Sequence, residues 1–123
     1  MSVKVKIKHV FDHQTTLVKV SMRSFPAVIA FRISKAMRAV NDEVAAFEKI
    51  RTDLIKANGV RTEGTDDWIV KPDKQNEIGK QIEDLLEEEF VIDVTPIDIK
   101  LFEKIEISAA EITALEFMID GEL

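Results

Sequence analysis

His9 and His13 are the only histidines of the 123-residue chain, and they stand four residues apart with Asp12 between them. On a helix, histidines at i and i+4 share a face and can ligate one metal ion. A third ligand is not evident, and His9 could equally end the strand that precedes it, so surface or boundary histidines are the competing reading. A second concentration of chemistry is the acidic run Glu83, Asp84, Glu87, Glu88 and Glu89. Such a run is a solvated helix face, a divalent-ion site or a docking patch for a basic partner. Asp66 and Asp67 beside Trp68, the sole tryptophan, form a third. Paired carboxylates can do acid–base work, but nothing nearby supplies the supporting groups this needs. Trp68 itself reads either as a plug that pins a loop to the core or as an exposed anchor for a partner. No P-loop, dinucleotide glycine motif or Gly-x-Ser-x-Gly is present, and four glycines in all make a phosphate-cradling loop improbable. The expectation is therefore no catalytic, cofactor or metal site, with Trp68, Glu83, Glu87 and Glu88 as candidate interaction residues.

The element that must position everything else is one long amphipathic stretch from Pro26 to about Ala57, closed by Asn58-Gly59. Ile33, Val40, Phe47 and Leu54 repeat at one heptad position, and Ile29, Ala36 and Ile50 hold the other. Glu43 interrupts the second series, while Met37 and Val44 widen the stripe. The spacing predicts a helix about 48 Å long with one buried face. Proline suits its first turn and Gly59 its end. Arg38 with Asp42, and Lys49 with Asp53, are placed for i,i+4 pairing on the exposed face.

Around this rod the pattern is of short elements. Residues 3–8 alternate strictly, with Val3, Val5 and Ile7 on one face and three lysines on the other, which predicts an edge strand. Residues 10–22 are ambiguous between helix and strand. Val10, Gln14, Leu17, Val18 and Ser21 would share a helical face, whereas Thr15 to Val20 is rich in β-branched residues; helix is favoured. Residues 58–73, with Gly59, Gly64 and Pro72, predict a loop. A helix from Asp73, which can cap it, to about Glu88 carries Ile78, Ile82, Leu85 and Leu86 inward. Phe90–Val94 and Ile97–Leu101 predict short strands, with a further one at Lys104–Ile107. Ser108-Ala109-Ala110-Glu111 is a capping box opening a last helix, with Ile112, Leu115, Met118 and Ile119 on one side and Gly121 at its end.

Composition narrows the class. At 46% hydrophobic the chain can bury a core, and its length suits a single domain, residues 1–123. No apolar run approaches the roughly 18 residues that span a bilayer, and the N-terminus lacks the apolar segment of a signal peptide. The absence of cysteine excludes disulfides, cysteine-ligated zinc and a thiol nucleophile, and fits an intracellular setting. The net charge of −6 is unevenly placed. Residues 1–60 hold eleven Lys/Arg and five Asp/Glu, whereas residues 61–123 hold six and eighteen. The halves either neutralise each other on packing or create a dipolar surface that orients assembly. Overall acidity argues against nucleic-acid binding.

Ser24-Phe25-Pro26-Ala27, the segments Ala30–Ala36 and Val44–Arg51, then Ile82–Leu86 with Val91–Ile97, and finally Ile107–Ile112 with Leu115-Glu116 resemble a family of small tailed-phage proteins of unknown function. The matching positions are core and capping residues, so the resemblance carries no functional side chains. It implies a phage or prophage origin and a helical hairpin with a small sheet.

Together these readings predict an α+β fold: a long antiparallel helical hairpin packed with a small mixed or antiparallel sheet and a C-terminal helix. They predict a non-enzymatic phage interaction protein, a structural or assembly component of the virion, found in the virion or the host cytoplasm. Its partners would be other phage proteins or further copies, the apolar stripe of the rod meeting another chain head to tail as a homo-oligomer. The alternative is an acidic inhibitor that binds a host defence protein. Neither membrane nor nucleic-acid partners are expected.

Overall fold

The computed structural model describes residues 1–121. In chain order the elements are β1 (Ser2–Lys6), α1 (Ile7–Asp12), α2 (Gln14–Met22), α3 (Ala27–Ala57), β2 (Gly59–Arg61), β3 (Trp68–Val70), α4 (Gln75–Leu86), β4 (Glu89–Asp93), β5 (Ile97–Asp98), α5 (Ala109–Ala114) and β6 (Ile119–Asp120). Single 3-10 turns cover Ile99–Phe102 and Glu116–Met118. The fold is α+β. α3 and α4 form the helical hairpin, α5 is the C-terminal helix, and the strands make three two-stranded ladders.

α3 runs unbroken for 31 residues because no glycine or proline interrupts it. Its buried residues are Ile29, Ile33, Ala36, Met37, Val40 and Phe47, the stripe that heptad spacing selects. Ile50 departs from that pattern: it is 48% exposed, and Leu54 is half-buried, where α3 and α4 leave an open groove between them. Asn58 closes the helix by donating from both its backbone N–H (3.2 Å) and Nδ2 (2.9 Å) to the Leu54 carbonyl. Gly59 follows for reasons of space. A Cβ there would lie 2.6 Å from the Ile55 carbonyl oxygen and 2.7 Å from that of Ile69.

From Ile29 to Phe47 the stripe of α3 is covered from within the chain, whereas Ile50 beyond it is exposed. β1 pairs antiparallel with β4, Val3 opposite Ile92 and Val5 opposite Phe90, and these face inward while Ser2, Lys4 and Lys6 face out. The strand is shorter than the alternation implies, since Ile7 opens α1 with its backbone N–H bonded to the Glu88 carbonyl at 3.0 Å. Ile7 is still buried, so the inward-facing set holds. Residues 7–22 are helical but broken at His13, and the break rotates the faces. Val10, Leu17 and Val20 are buried, whereas Gln14, Val18 and Ser21 are exposed. α1 lays Phe11 edge-on against Phe47, with ring centroids 4.9 Å apart.

Several local expectations are corrected. Residues 58–73 hold a hairpin, not a bare loop: β2 and β3 pair antiparallel with Val60 opposite Ile69. Three-residue strands are too short for periodicity to reveal. Asp73 does not cap α4. A turn closed by the Lys74 N–H on the Lys71 carbonyl (2.8 Å) delays the helix to Gln75, with Lys74 at the cap position. Ile97–Leu101 is strand only at its first two residues, because the Asp98 carboxylate accepts the Lys100 N–H at 2.9 Å and turns the chain into a 3-10 turn. Lys104–Ile107 is irregular. The capping box at Ser108 and Glu111 forms as expected, but α5 ends at Ala114 and β6 follows, pairing parallel with β5. The ion pair recorded on α3 is Glu48–Arg51 at 3.7 Å; among the described residues, neither Arg38–Asp42 nor Lys49–Asp53 forms.

The C-terminal segment is tied to α2 by Arg23. Its guanidinium donates to the Glu111 carboxylate and to the Glu106 carbonyl, and lies over the Phe25 ring 4.9 Å from the centroid. The Arg23 hydrogen bond, then the Ser108 backbone N–H, hold the Glu111 carboxyl below its ordinary value of 4.5. A depressed folded-state value means stability that is present above the unfolded value and lost as pH falls through the folded one. Glu111→Gln is therefore expected to cost about 1 kcal/mol near neutrality. In urea melts the gap to wild type should close as pH falls below the ordinary carboxylate range; a gap independent of pH would refute the role of this ion pair. Phe47→Ala removes a ring buried to 4% exposure and should cost about 3–5 kcal/mol in the same melts.

Candidate interaction surfaces

The structure separates the residues singled out as interaction candidates. Glu87 and Glu88 sit at the corner between α4 and β4. Glu87 pairs with Lys6 of β1 at 2.9 Å; this hydrogen bond lowers the carboxyl and raises the ammonium. Both groups face solvent, so the pair orients side chains more than it stabilises the fold. Glu83 and Asp84 are exposed on α4, and Asp84 and Glu88 line a groove with Ile50, Leu54, Gln81 and Leu85 of about 290 Å³. Trp68 lies beyond the other end of α4, a helix about 18 Å long, so it does not join the acidic run in one site.

Trp68 is 36% exposed. It stands opposite Arg61 on the hairpin, two pairs further out than Gly59 and Val70, which meet the end of α3. It is thus not the core plug that a lone tryptophan in a loop suggests. On the opposite face Val60 and Ile69 are 54% and 56% exposed. These two are missed by sequence reasoning; their only signal is that Val60 and the run Trp68-Ile69-Val70 flank a polar connection containing Gly64. The hairpin is stiffened at its tip. Arg61 donates to the Asp66 carboxylate (2.6 Å) and the Thr65 carbonyl (2.7 Å), and the Thr62 N–H donates to the Asp67 carbonyl (2.7 Å). Asp66, through its carboxylate, and Asp67, through its backbone, therefore shape a turn.

His9 and His13 do share a face, with ring centroids 4.4 Å apart. Their nitrogens are directed at the protein. His9 Nε2 donates to the Ala114 carbonyl (3.1 Å), His9 Nδ1 lies 3.6 Å from Glu116 Oε1, and His13 Nδ1 donates to the His9 carbonyl (2.8 Å). Only His13 Nε2 is left for an outside ligand. Among the described residues no cluster of three or more His, Cys, Asp or Glu could hold a metal ion. The rings, with Phe117, form a wall of an open cleft of about 440 Å³ rimmed by Lys4, Lys6 and Lys8. A further apolar groove, of about 430 Å³, opens at the start of α3 beside Val28, Phe31 and Thr95. Arg32 at its edge donates to the Pro96 carbonyl at 3.0 Å.

No protein-family model matches the chain, and no curated protein or solved structure matches it. No helix among the described residues is long and apolar enough to cross a membrane.

The histidine geometry gives a prediction. Protein purified without chelator should carry no stoichiometric zinc, manganese or iron by elemental analysis. His9→Ala should instead cost about 1 kcal/mol of stability by releasing α1 from the C-terminal segment. Stoichiometric metal that disappears in His9→Ala or His13→Ala would reverse this reading.

Proposed function

We propose that this chain acts by binding, as a non-enzymatic interaction protein of a tailed phage and a structural or assembly component of its virion. The phage assignment rests on the resemblance of the core and capping segments described above. The binding assignment rests on the β2–β3 hairpin, which presents Val60, Ile69 and Trp68 to solvent on a base fixed to the end of α3. A two-stranded hairpin is marginal by itself, and exposed apolar side chains on it cost solubility without adding to the core. Their use is a partner that covers them. The open strand edges add backbone donors and acceptors to that surface. His9 and the Asp66 carboxylate, among the side chains most suited to chemistry, are engaged as a tie between elements and within a turn. Other phage proteins or further copies of the chain are the partners, in the virion or in the host cytoplasm.

A second reading, an acidic inhibitor of a host defence protein, is favoured by one observation. Along α4 and the following corner, Glu83, Asp84 and Glu88 are exposed and form no ion pair among the described residues, while Glu87 alone is held by Lys6. Such a face suits a basic partner site.

Mass spectrometry of purified particles, with affinity capture of the tagged chain from infected cells, separates the two. The virion reading expects the protein in particles, and expects Ile69→Asp with Trp68→Ala to remove it from them while leaving the thermal melt within about 1 kcal/mol of wild type. Absence from particles together with a stoichiometric host protein in the captured fraction would replace it with the inhibitor reading.

A further inference from the structure

α3 has a second face. Opposite the buried stripe, Val28, Phe31, Arg38, Asp42, Ala45 and Lys49 are all exposed. At 3.6 residues per turn Phe31, Arg38, Asp42 and Lys49 lie within about 20° of one line along the helix, and the other two within about 60°. Phe31 is 69% exposed and Val28 59%. Because the far side of the helix holds Ile29, Ile33 and Val40 in the core, no local rotation can turn these two inward. Arg38 and Asp42, one turn apart, form no ion pair with each other among the described residues, so both charges are available to another molecule.

We propose that this face binds the same face of a second copy, with the two α3 helices antiparallel and the two-fold axis level with Val40. The charge pattern selects that arrangement. With the axis at residue 40, position i meets position 80 − i. Arg38 of one copy then meets Asp42 of the other, twice over. Phe31 meets Lys49, whose stem covers the ring and whose ammonium sits over its face. Lys35 crosses the small side chain of Ala45. A parallel pairing would set Arg38 against Arg38 and Lys49 against Lys49. Sliding the antiparallel pair by one heptad sets Arg38 against Lys35 in one direction and against Lys49 in the other. The contact is isologous and closes as a dimer, unlike a head-to-tail chain. From Phe31 to Lys49 it runs about 27 Å along one helix, which places it at the small end of specific interfaces. The dimer is accordingly concentration-dependent and weakened by salt.

This proposal rests on reading the chain as an interaction protein, and its test reads a different quantity from the particle composition. Sedimentation of the full chain over a concentration series at low and high salt should show a monomer–dimer equilibrium, tighter at low salt. Arg38→Asp or Asp42→Arg alone should weaken dimerisation by about tenfold or more, since each opposes like charges twice. The two changes together should restore it, and Phe31→Ala should weaken it to a similar extent. All three residues are exposed, and circular dichroism confirms that each variant folds. A monomer at every concentration overturns the proposal. So does a dimer indifferent to the single charge reversals, or one the double change fails to restore. A monomer that is nonetheless packaged in particles defeats the dimer alone. A dimer found neither in particles nor on a host protein defeats the virion and inhibitor readings alone.

Discussion

A 31-residue helix in a chain of 123 cannot cover its own apolar stripe, and that constraint organises the rest of this molecule. The buried run from Ile29 to Phe47 is met by α1 and α2 from the N-terminal side, by the inward face of β1–β4, and by Leu115 and Met118 near the C-terminus, which all belong to one core. Each covering element is too short to be stable alone: α1 and α5 are six residues each, and the ladders have two strands. They exist because the stripe gives them a surface to bury against. Where the cover thins, past Phe47, Ile50 is exposed although its spacing marks it for the core.

Covering one helix with pieces from both ends of a chain requires ties of long sequence separation, and these are polar. Met1 exchanges backbone hydrogen bonds with Val94 at 3.0 and 2.8 Å. His9 holds the Ala114 carbonyl, 105 residues away, and Arg23 holds Glu111 and Glu106. Each fixes where a short element lies on α3, a role hydrophobic contact alone fills poorly because it is non-directional. The same ties engage one ring nitrogen of each histidine: His9 Nε2 on the Ala114 carbonyl positions α1, and His13 Nδ1 on the His9 carbonyl fixes the ring while leaving Nε2 outward.

What the core leaves outside is consistent with a binding protein. The hairpin offers Val60, Ile69 and Trp68, α4 offers an acidic face, and the outer line of α3 carries one aromatic ring followed by charges of both signs. These surfaces lie on different elements. The uneven charge of the two halves is partly compensated where they meet, as at Lys6–Glu87 and Arg23–Glu111, and partly displayed.

The chain's own periodicities determined the elements whose pattern is long or chemically specific. The extent of α3 follows from sustained spacing without glycine or proline. The inward set of β1 follows from strict alternation. The start of α5 follows from the reciprocal bonds of Ser108 and Glu111, which need only four residues of sequence. Tertiary structure decided everything shorter. The break at His13, the hairpin at residues 59–70 and the conversion of residues 99–102 to a 3-10 turn each hang on a few hydrogen bonds or a close approach to another segment. The site followed the same division. Trp68 and the glutamates were visible as residue types, but their separation by the length of α4, and the exposure of Val60, Ile69 and Phe31, depend on which faces the core consumed. An amphipathic pattern names the face that must be buried; how much cover the rest of the chain supplies is settled only by the three-dimensional packing.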